Sequence, residues 1–321
     1  MKRTLHRVWA AILSVYVLSI SVLAAGELVP VGEVIGLELS SGSVTVAAYD
    51  DSLTVARDAG LKIGDEILAI DETLVTCAED VRQALNRSDG SVTLLIGRDG
   101  QKITLRLEPE VSSEGPKIGV YLRQGITGLG TVTFCDPDTG RFASLGHGVN
   151  DGKGHLLEME SGRVFPAEVV SIQKGKKGQP GQLKGALDGS HPQGSLERNT
   201  ARGIFGTLDQ PYSGQAIPTA CWEQITTGPA TIRSTVDEAG PRDYSVEILK
   251  IYPKDRSDGR NLLLRVTDPD LLAATGGIVQ GMSGSPIIQD GKLVGAVTHV
   301  LVNDPTTGYG IFIENMLDAA A

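Results

Sequence analysis

Short apolar runs separated by turn residues divide the chain into two strand-rich parts. In the first part, Thr76 and Glu79 stand in the T-x-x-E arrangement of a capping box, which predicts the start of an amphipathic helix. The apolar runs around this helix predict strands at residues 34–39, 44–48, 67–70, 92–96 and 103–107, the last two flanking an Asp-Gly hairpin signal. Several strands with one capped helix predict an autonomous module over residues 31–108.

The second part begins after a short polar stretch. Residues 109–117 are rich in Pro, Gly and Ser, which is typical of a linker, so we expect a second domain over residues 118–321. Residues 174–203 are polar and glycine-rich, which predicts a mobile surface loop, with substrate contact as the alternative. The remaining apolar runs predict strands at 130–134, 141–145, 246–251, 262–266, 285–288 and 293–301. The pattern predicts a mainly β protein.

The N-terminus has the charge pattern of an exported protein. Lys2, Arg3 and Arg7 precede an uncharged apolar stretch that continues to Gly26. Basic residues remain on the cytoplasmic side of a membrane, so the chain after this segment is expected to be exported. The segment is intermediate in length between a signal-peptide core and a full span, so residues 1–26 are a cleaved signal or a retained membrane anchor.

Composition excludes several classes of protein. Glycine accounts for 40 of 321 residues, and the net charge is -10, without long blocks of one sign. An acidic chain without basic blocks does not favour a nucleic-acid partner. The 3 cysteines, Cys77, Cys135 and Cys221, lie far apart without a CxxC pair, which excludes a zinc ribbon and a disulfide framework. No metal or organic cofactor is implied.

One segment of the first module resembles a known peptide-binding domain. Residues 60–70, GLKIGDEILAI, are similar to the G-L-x-x-G-D-x-I-x-x-I segment of PDZ domains. By that resemblance, Val34, Ile35, Gly36 and Leu37 form the carboxylate-binding loop, whose amides hold a peptide C-terminus while the peptide adds a strand to the sheet. The alternative is that Gly36 is a bend in an ordinary strand.

The segment with the most chemical information is GIVQGMSGSPII, residues 277–288. A serine between glycines, just before a strand, can project its hydroxyl while nearby amides point at one spot, as acyl transfer requires. The pattern resembles the G-D-S-G-G-P nucleophile loop of trypsin-like peptidases. That resemblance implies that Ser283 is the nucleophile and that the amides of Gly281 and Ser283 form the oxyanion hole. Ser285 is the rival nucleophile.

A serine hydroxyl needs a base to accept its proton. His147 lies in the segment SLGHGV, at a strand end between two glycines, and precedes the serine. His155, His191 and His299 lack this context, although His299 follows the serine hairpin and could line a pocket. We therefore predict that His147 is the base.

The candidate acid that would orient the histidine, Asp268, is compatible with two interpretations. Asp268 precedes Pro269, and Asp-Pro is also the pattern of a helix N-cap followed by proline at the first helical position. The catalytic reading and the cap reading are equally compatible with the residues. Asp151 and Asp270 are the other candidate acids.

Taken together, these segments resemble the stage IV sporulation protein B peptidases of endospore-forming bacteria. The resemblance rests on the exported segment, the PDZ-like module, SLGHG, RVTD and the run TGGIVQGMSGSPI, and it covers nearly the whole chain. It implies a trypsin-like double barrel in which His147, Asp268 and Ser283 form the triad.

The same resemblance implies a biological role. By that resemblance, the protein is a serine endopeptidase that acts in the space around the forespore and trims its own N-terminal region. It then cleaves a regulator of a membrane-embedded protease, so that a sigma factor is processed. The alternatives are a non-catalytic PDZ-like signalling protein and a general envelope stress protease.

Overall fold

The computed structural model describes residues 26–113, 115–152, 154–188 and 191–321. Strands account for most of these residues. In chain order the elements are β1 Glu27–Pro30, β2 Val34–Tyr49, α1 Val55–Asp58, β3 Glu66–Ile70, β4 Thr73–Leu74, α2 Ala78–Arg87, β5 Val92–Arg98, β6 Gln101–Leu107, β7 Glu110–Ser112, β8 Gly115–Lys117, β9 Val120–Cys135, β10 Arg141–Ser144, β11 Ser161–Gln173, β12 Gln182–Leu187, β13 Gly194–Thr200, β14 Gly203–Leu208, β15 Ile217–Pro218, a 3-10 turn Trp222–Gln224, β16 Gly228–Thr235, β17 Pro241–Ile251, β18 Leu262–Val266, α3 Pro269–Thr275, β19 Pro286–Gln289, β20 Lys292–Leu301, β21 Asp304–Phe312 and α4 Ile313–Ala320.

The first barrel closes from six strands in the order β9, β10, β14, β13, β11 and β2, because β2 pairs back with β9. Its interior is filled by apolar side chains such as those of Ile35, Val132 and Phe142, all of them buried. β1 extends the sheet by pairing with β9 and with β15.

The second barrel closes from β16, β17, β18, β21, β20 and β19. Ile232, Leu264 and Phe312 pack in its core. Asp290 and Gly291 form the hairpin turn between β19 and β20, and both have positive φ, as a tight two-residue turn requires. The two barrels confirm the expected mainly β, double-barrel fold.

The N-terminal unit, residues 44–124, has its own core. The last part of β2 and the first part of β9 pair with each other, and β3, β5 and β6 continue the sheet. Val44, Ile67 and Leu94 pack here together with helices α1 and α2. β2 and β9 therefore serve both the unit and the first barrel, so the unit is inserted between two barrel strands.

The aspartate of the PDZ-like segment has a structural role in the N-terminal unit. Asp65 is 1 % exposed, and its carboxylate accepts two hydrogen bonds from Arg98, at 2.7 and 2.6 Å, and one from the Lys62 amide at 2.7 Å. A buried carboxylate is tolerated when it is paired and its lone pairs are satisfied.

Three local expectations differ from the structure. Residues 109–117, expected to be a linker, contain the β7–β8 hairpin. Residues 174–203, expected to be a loop, contain β12 and β13, which both pair with β11. Helix α2 begins one residue later than predicted, because Asp80 rather than Glu79 accepts the amide hydrogen bonds of Thr76 and Cys77.

The predicted signal or anchor segment, residues 1–26, lies outside the described residues except for Gly26. Within the part of the chain that the structure describes, no helix is both long and apolar enough to cross a membrane.

Candidate active site

The serine loop, residues 280–284, has two backbone amides that find no acceptor in the part of the chain that the structure describes. Each of its first four carbonyls accepts a hydrogen bond: those of Gln280 and Met282 from the amides of Leu183 and Ser285, and those of Gly281 and Ser283 from Thr131. Among the described residues, the amides of Gly281 and Ser283 donate to no acceptor. Gly281 and Ser283 are only partly buried, so a substrate oxygen can reach these amides, and two such amides beside a serine hydroxyl fit an oxyanion hole.

Glycine is required in this loop by the backbone. Gly281 and Gly284 both have a φ of +99°, a region that L-residues rarely adopt. A Cβ atom on Gly284 would also overlap the carbonyl oxygen of Thr131. The glycines that bracket the serine therefore allow the loop to turn sharply against the first barrel.

The hydroxyl of Ser283 donates to the carbonyl of Thr298, on β20, at 2.8 Å. His147 lies near the same threonine. A Cβ atom added to the residue before it, Gly146, would be 2.9 Å from the methyl group of Thr298. The structure thus brings Ser283 and His147 to the same part of the seam, the place where the first and second barrels meet. No direct hydrogen bond joins these two described side chains.

His147 reaches the seam through an unusual turn. The histidine turn, residues 144–148, follows β10, and both Leu145 and Gly146 are left-handed, with φ of +69° and +68°. The Nδ1 atom of His147 lies 2.9 Å from the carbonyl of Gly148. A carbonyl can only accept, so Nδ1 carries the proton, and Nε2 of the neutral ring is free to act as a base.

A second histidine, His299 on β20, packs against the first. The two ring centroids are 5.1 Å apart, and the Nδ1 atom of His299 is buried without a hydrogen-bond partner. Burial lowers the pKa of His147 below its usual 6.5, although the bond to Gly148 opposes the shift. Burial, followed by the charges of His147 and Arg260, lowers the pKa of His299 to about 4. Both rings are therefore neutral near pH 7, as a general base requires.

The structure places Asp268 at the N-cap of α3. One carboxylate oxygen accepts hydrogen bonds from the amides of Asp270 and Leu271, both at 3.0 Å. The other accepts one from the amide of Ser245 at 3.2 Å. These are the contacts of the cap reading, and the acceptor for the imidazole Nδ1 is the Gly148 carbonyl instead. An orienting role for Asp268 stays a prediction.

The rival candidates lie in other environments. Ser285 is fully buried, and its hydroxyl donates to that of Ser234, inside the second barrel, at 3.0 Å. Asp151 accepts a hydrogen bond from the amide of His155, whose side chain is 78 % exposed. Asp270 is exposed on α3. Among the described residues, no group of three or more His, Cys, Asp or Glu side chains is arranged to hold a metal ion.

The prediction that residues 34–37 form a carboxylate-binding loop is wrong. Val34, Ile35, Gly36 and Leu37 lie within β2, where they pair with β9 on one side, while residues 35–37 pair with β11 on the other. They are buried in the first barrel, so this segment offers no free edge to a peptide. A different edge lies in the N-terminal unit: residues 120–124 of β9 pair with β2 on one side, and no described strand pairs with them on the other.

Comparison with known families agrees with this geometry. A family model described as SpoIVB peptidase S55 matches residues 114–317. The chain belongs to this family. It is therefore a serine peptidase, and the family resemblance found in the sequence is confirmed.

The solved structures that are similar to this SpoIVB-type peptidase have low sequence identity to it. The crystal structure of the Rv3671c protease in an inactive form is 14% identical, and the match covers 60% of this chain and 82% of that one, with a TM-score of 0.33. A serine-to-alanine mutant of Rv3671c from M. tuberculosis, also in an inactive form, is 16% identical over 60% of this chain and 79% of that one, with a TM-score of 0.32. The search of curated proteins found no match.

Proposed function

We propose that this serine peptidase cleaves peptide bonds with Ser283 as nucleophile and His147 as general base. His147 Nε2 takes the hydroxyl proton, Ser283 attacks the peptide carbonyl, and the amides of Gly281 and Ser283 stabilise the oxyanion. Water then releases the acyl group with the same base. The observation that carries the proposal is the pair of unpaired amides beside the Ser283 hydroxyl.

A fluorophosphonate probe, which phosphonylates activated serines, tests this mechanism. We expect the wild-type chain to be labelled and the Ser283→Ala variant to remain unlabelled. Ser285→Ala is the matched control, because it removes a hydroxyl two residues away that points into the barrel. Labelling that is lost in Ser285→Ala and kept in Ser283→Ala would contradict the assignment.

We propose further that the substrates are those of sporulation signalling. The enzyme would be exported into the space around the forespore, either released or attached to the membrane through its N-terminal segment. It would trim its own N-terminal region and then cleave a regulator of a membrane-embedded protease. Family membership supports this role, and the basic and apolar pattern of residues 1–26 supports export.

The biological role can be tested in an endospore-forming host that lacks its own family member. Wild-type protein is expected to restore heat-resistant spores and sigma-factor processing, measured by plating and immunoblot, whereas Ser283→Ala restores neither. Equal restoration by both would favour a non-catalytic signalling protein. Purified enzyme that degrades unfolded casein broadly, without restoring spores, would favour a general stress protease.

A further inference from the structure

Thr131, in the first barrel, contacts both halves of the active site. It lies on β9 opposite Val34 of β2 and is fully buried. Its amide donates to the carbonyl of Ser283 at 3.1 Å, and its hydroxyl donates to that of Gly281 at 2.7 Å. A single first-barrel residue therefore holds the serine loop of the second barrel at two points.

The carbonyl of Thr131 faces the histidine turn. It accepts a hydrogen bond from the Ser144 hydroxyl at 2.7 Å and a longer one from the Leu145 amide at 3.4 Å. These residues come directly before Gly146 and His147. The amide, the hydroxyl and the carbonyl of Thr131 thus connect the turn that carries the base to the loop that carries the nucleophile.

The two carbonyls held by Thr131 belong to the residues whose amides are free. Each free N–H is coplanar with the carbonyl of the residue before it, and Thr131 holds the neighbouring peptide planes. The 281–282 and 283–284 planes flank the plane that carries the Ser283 N–H, and the first of them also adjoins the plane of the Gly281 N–H. Fixing these planes restricts rotation about the Cα atoms between them. Gly281, at φ +99°, has little intrinsic preference to keep it in place. The Leu183 amide holds the peptide plane before Gly281 and the hydroxyl of Thr131 holds the plane after it, so together they restrain rotation at this glycine.

We propose that Thr131 is a positioning residue of this peptidase. It orients the oxyanion-binding amides of Gly281 and Ser283 and sets the serine loop against the histidine turn. The inference rests on the proposed function, since it assigns a role to a residue that acts through the catalytic groups. Thr131 itself touches neither the substrate nor the reacting atoms.

The chain offers a matched control on the same strand. Thr133 lies two residues further along β9 and is equally buried, but its hydroxyl has no hydrogen-bond partner. Thr133→Val and Thr131→Val therefore make the same chemical change in similar surroundings. Only Thr131→Val removes a contact with the serine loop.

The test compares the full-length wild type with Thr131→Val, Thr131→Ser and Thr133→Val. The rate of phosphonylation by a fluorophosphonate reports the site directly, because the phosphonyl oxygen occupies the oxyanion position. Removing an oxyanion donor outright costs a hundredfold or more, so misalignment in Thr131→Val should slow labelling roughly 10- to 100-fold. Thr131→Ser keeps the hydroxyl and should label within about threefold of wild type, as should Thr133→Val.

Turnover of a cleavable peptide provides a readout that a purely structural role would not change. Thr131→Val is expected to lower kcat with little change in KM, because the lost alignment matters in the transition state. All rates are measured well below the melting temperature of each variant. Equal rates for folded Thr131→Val and Thr133→Val, or failure of Thr131→Ser to restore the rate, would overturn the positioning role.

A second variant covers the case in which Thr131→Val does not fold. Ser144→Ala removes the hydroxyl that donates to the Thr131 carbonyl, and labelling should slow severalfold; an unchanged rate would overturn the proposal. If the wild type labels no faster than Ser283→Ala, the nucleophile assignment fails and the positioning role fails with it. If the wild type is labelled, and Thr131→Val and Thr133→Val are labelled at equal rates, only the positioning role is rejected.

Discussion

The two readings of Asp268 predict different results for its substitution. In the structure, its carboxylate accepts three backbone hydrogen bonds, from Asp270, Leu271 and Ser245. Asp268→Ala removes all of them. Loss of an N-cap costs about 1 kcal/mol, and loss of the Ser245 contact roughly another, so we expect a stability loss of about 2 kcal/mol. In a domain of this size, that lowers the melting temperature by roughly 4–8 °C.

Asp268→Asn separates the cap from a catalytic role. The amide oxygen of asparagine caps a helix as well as a carboxylate does, so this variant should lose only the Ser245 contact, about 1 kcal/mol. Asparagine cannot stabilise an imidazolium, and in a serine peptidase triad that change lowers kcat roughly 10⁴-fold. Because Gly148 is the acceptor for His147 in this structure, we expect Asp268→Asn to keep its rate within about tenfold.

The assay pairs thermal unfolding with fluorophosphonate labelling of the same samples at a temperature where each variant is folded. An unchanged melting temperature in Asp268→Ala would refute the cap argument. A rate loss of roughly 10⁴ in folded Asp268→Asn would show that the carboxylate serves the imidazole during the reaction. The contacts seen here would then describe only one of two arrangements.

Four further outcomes are expected. Ser285→Ala should remain active but lose about 1 kcal/mol in urea unfolding, because the Ser234 hydroxyl keeps no partner; loss of labelling would contradict this. The acid limb of kcat/KM should have its midpoint below 6.5, because burial lowers the pKa of His147. Since protonation is disfavoured in the folded state, stability should also fall as the pH drops below 6.5 through that lowered pKa; a midpoint above 6.5 would contradict both. Gly284→Ala should abolish labelling, because its Cβ would overlap the Thr131 carbonyl; a melting temperature and rate equal to wild type would contradict it.

Local patterns predicted the elements that are built from local contacts. The Asp-Gly turns, the strands from 92 to 107 and the helix near residue 80 were all predictable, since turn residues and alternation act over a few positions. The serine between glycines was also visible, because the loop needs left-handed residues and only glycine adopts them freely.

Non-local pairing could not be read from the sequence. The polar segment at residues 40–43 suggests a break between two strands, yet β2 is one strand with a shift in register between Leu39 and Val44. The paired neighbours of its first part, β9 and β11, are distant in sequence, so its burial in the barrel left no local signal. The prediction of a peptide-binding loop at Val34–Leu37 failed for that reason.

Polar strands were missed for a related reason. β12 is exposed at every position except Leu183, so it lacks the alternation that identifies a half-buried strand. Thr131 left no signal either, because it is separated by 150 positions from its partner Gly281. A threonine in a strand is ordinary, and only the assembled seam shows what its polar groups contact.

The distribution of hydrogen bonds at the seam indicates which group must move for catalysis. The amides of Gly281 and Ser283 are already free, and the tautomer of His147 is already fixed by Gly148. The Ser283 hydroxyl, in contrast, donates to the Thr298 carbonyl and not to the imidazole. Rotation of one side chain breaks that bond, which is worth about 1 kcal/mol. A reactive arrangement therefore requires the Ser283 hydroxyl to turn away from the Thr298 carbonyl, while the serine loop already presents the two amides that we propose as the oxyanion hole.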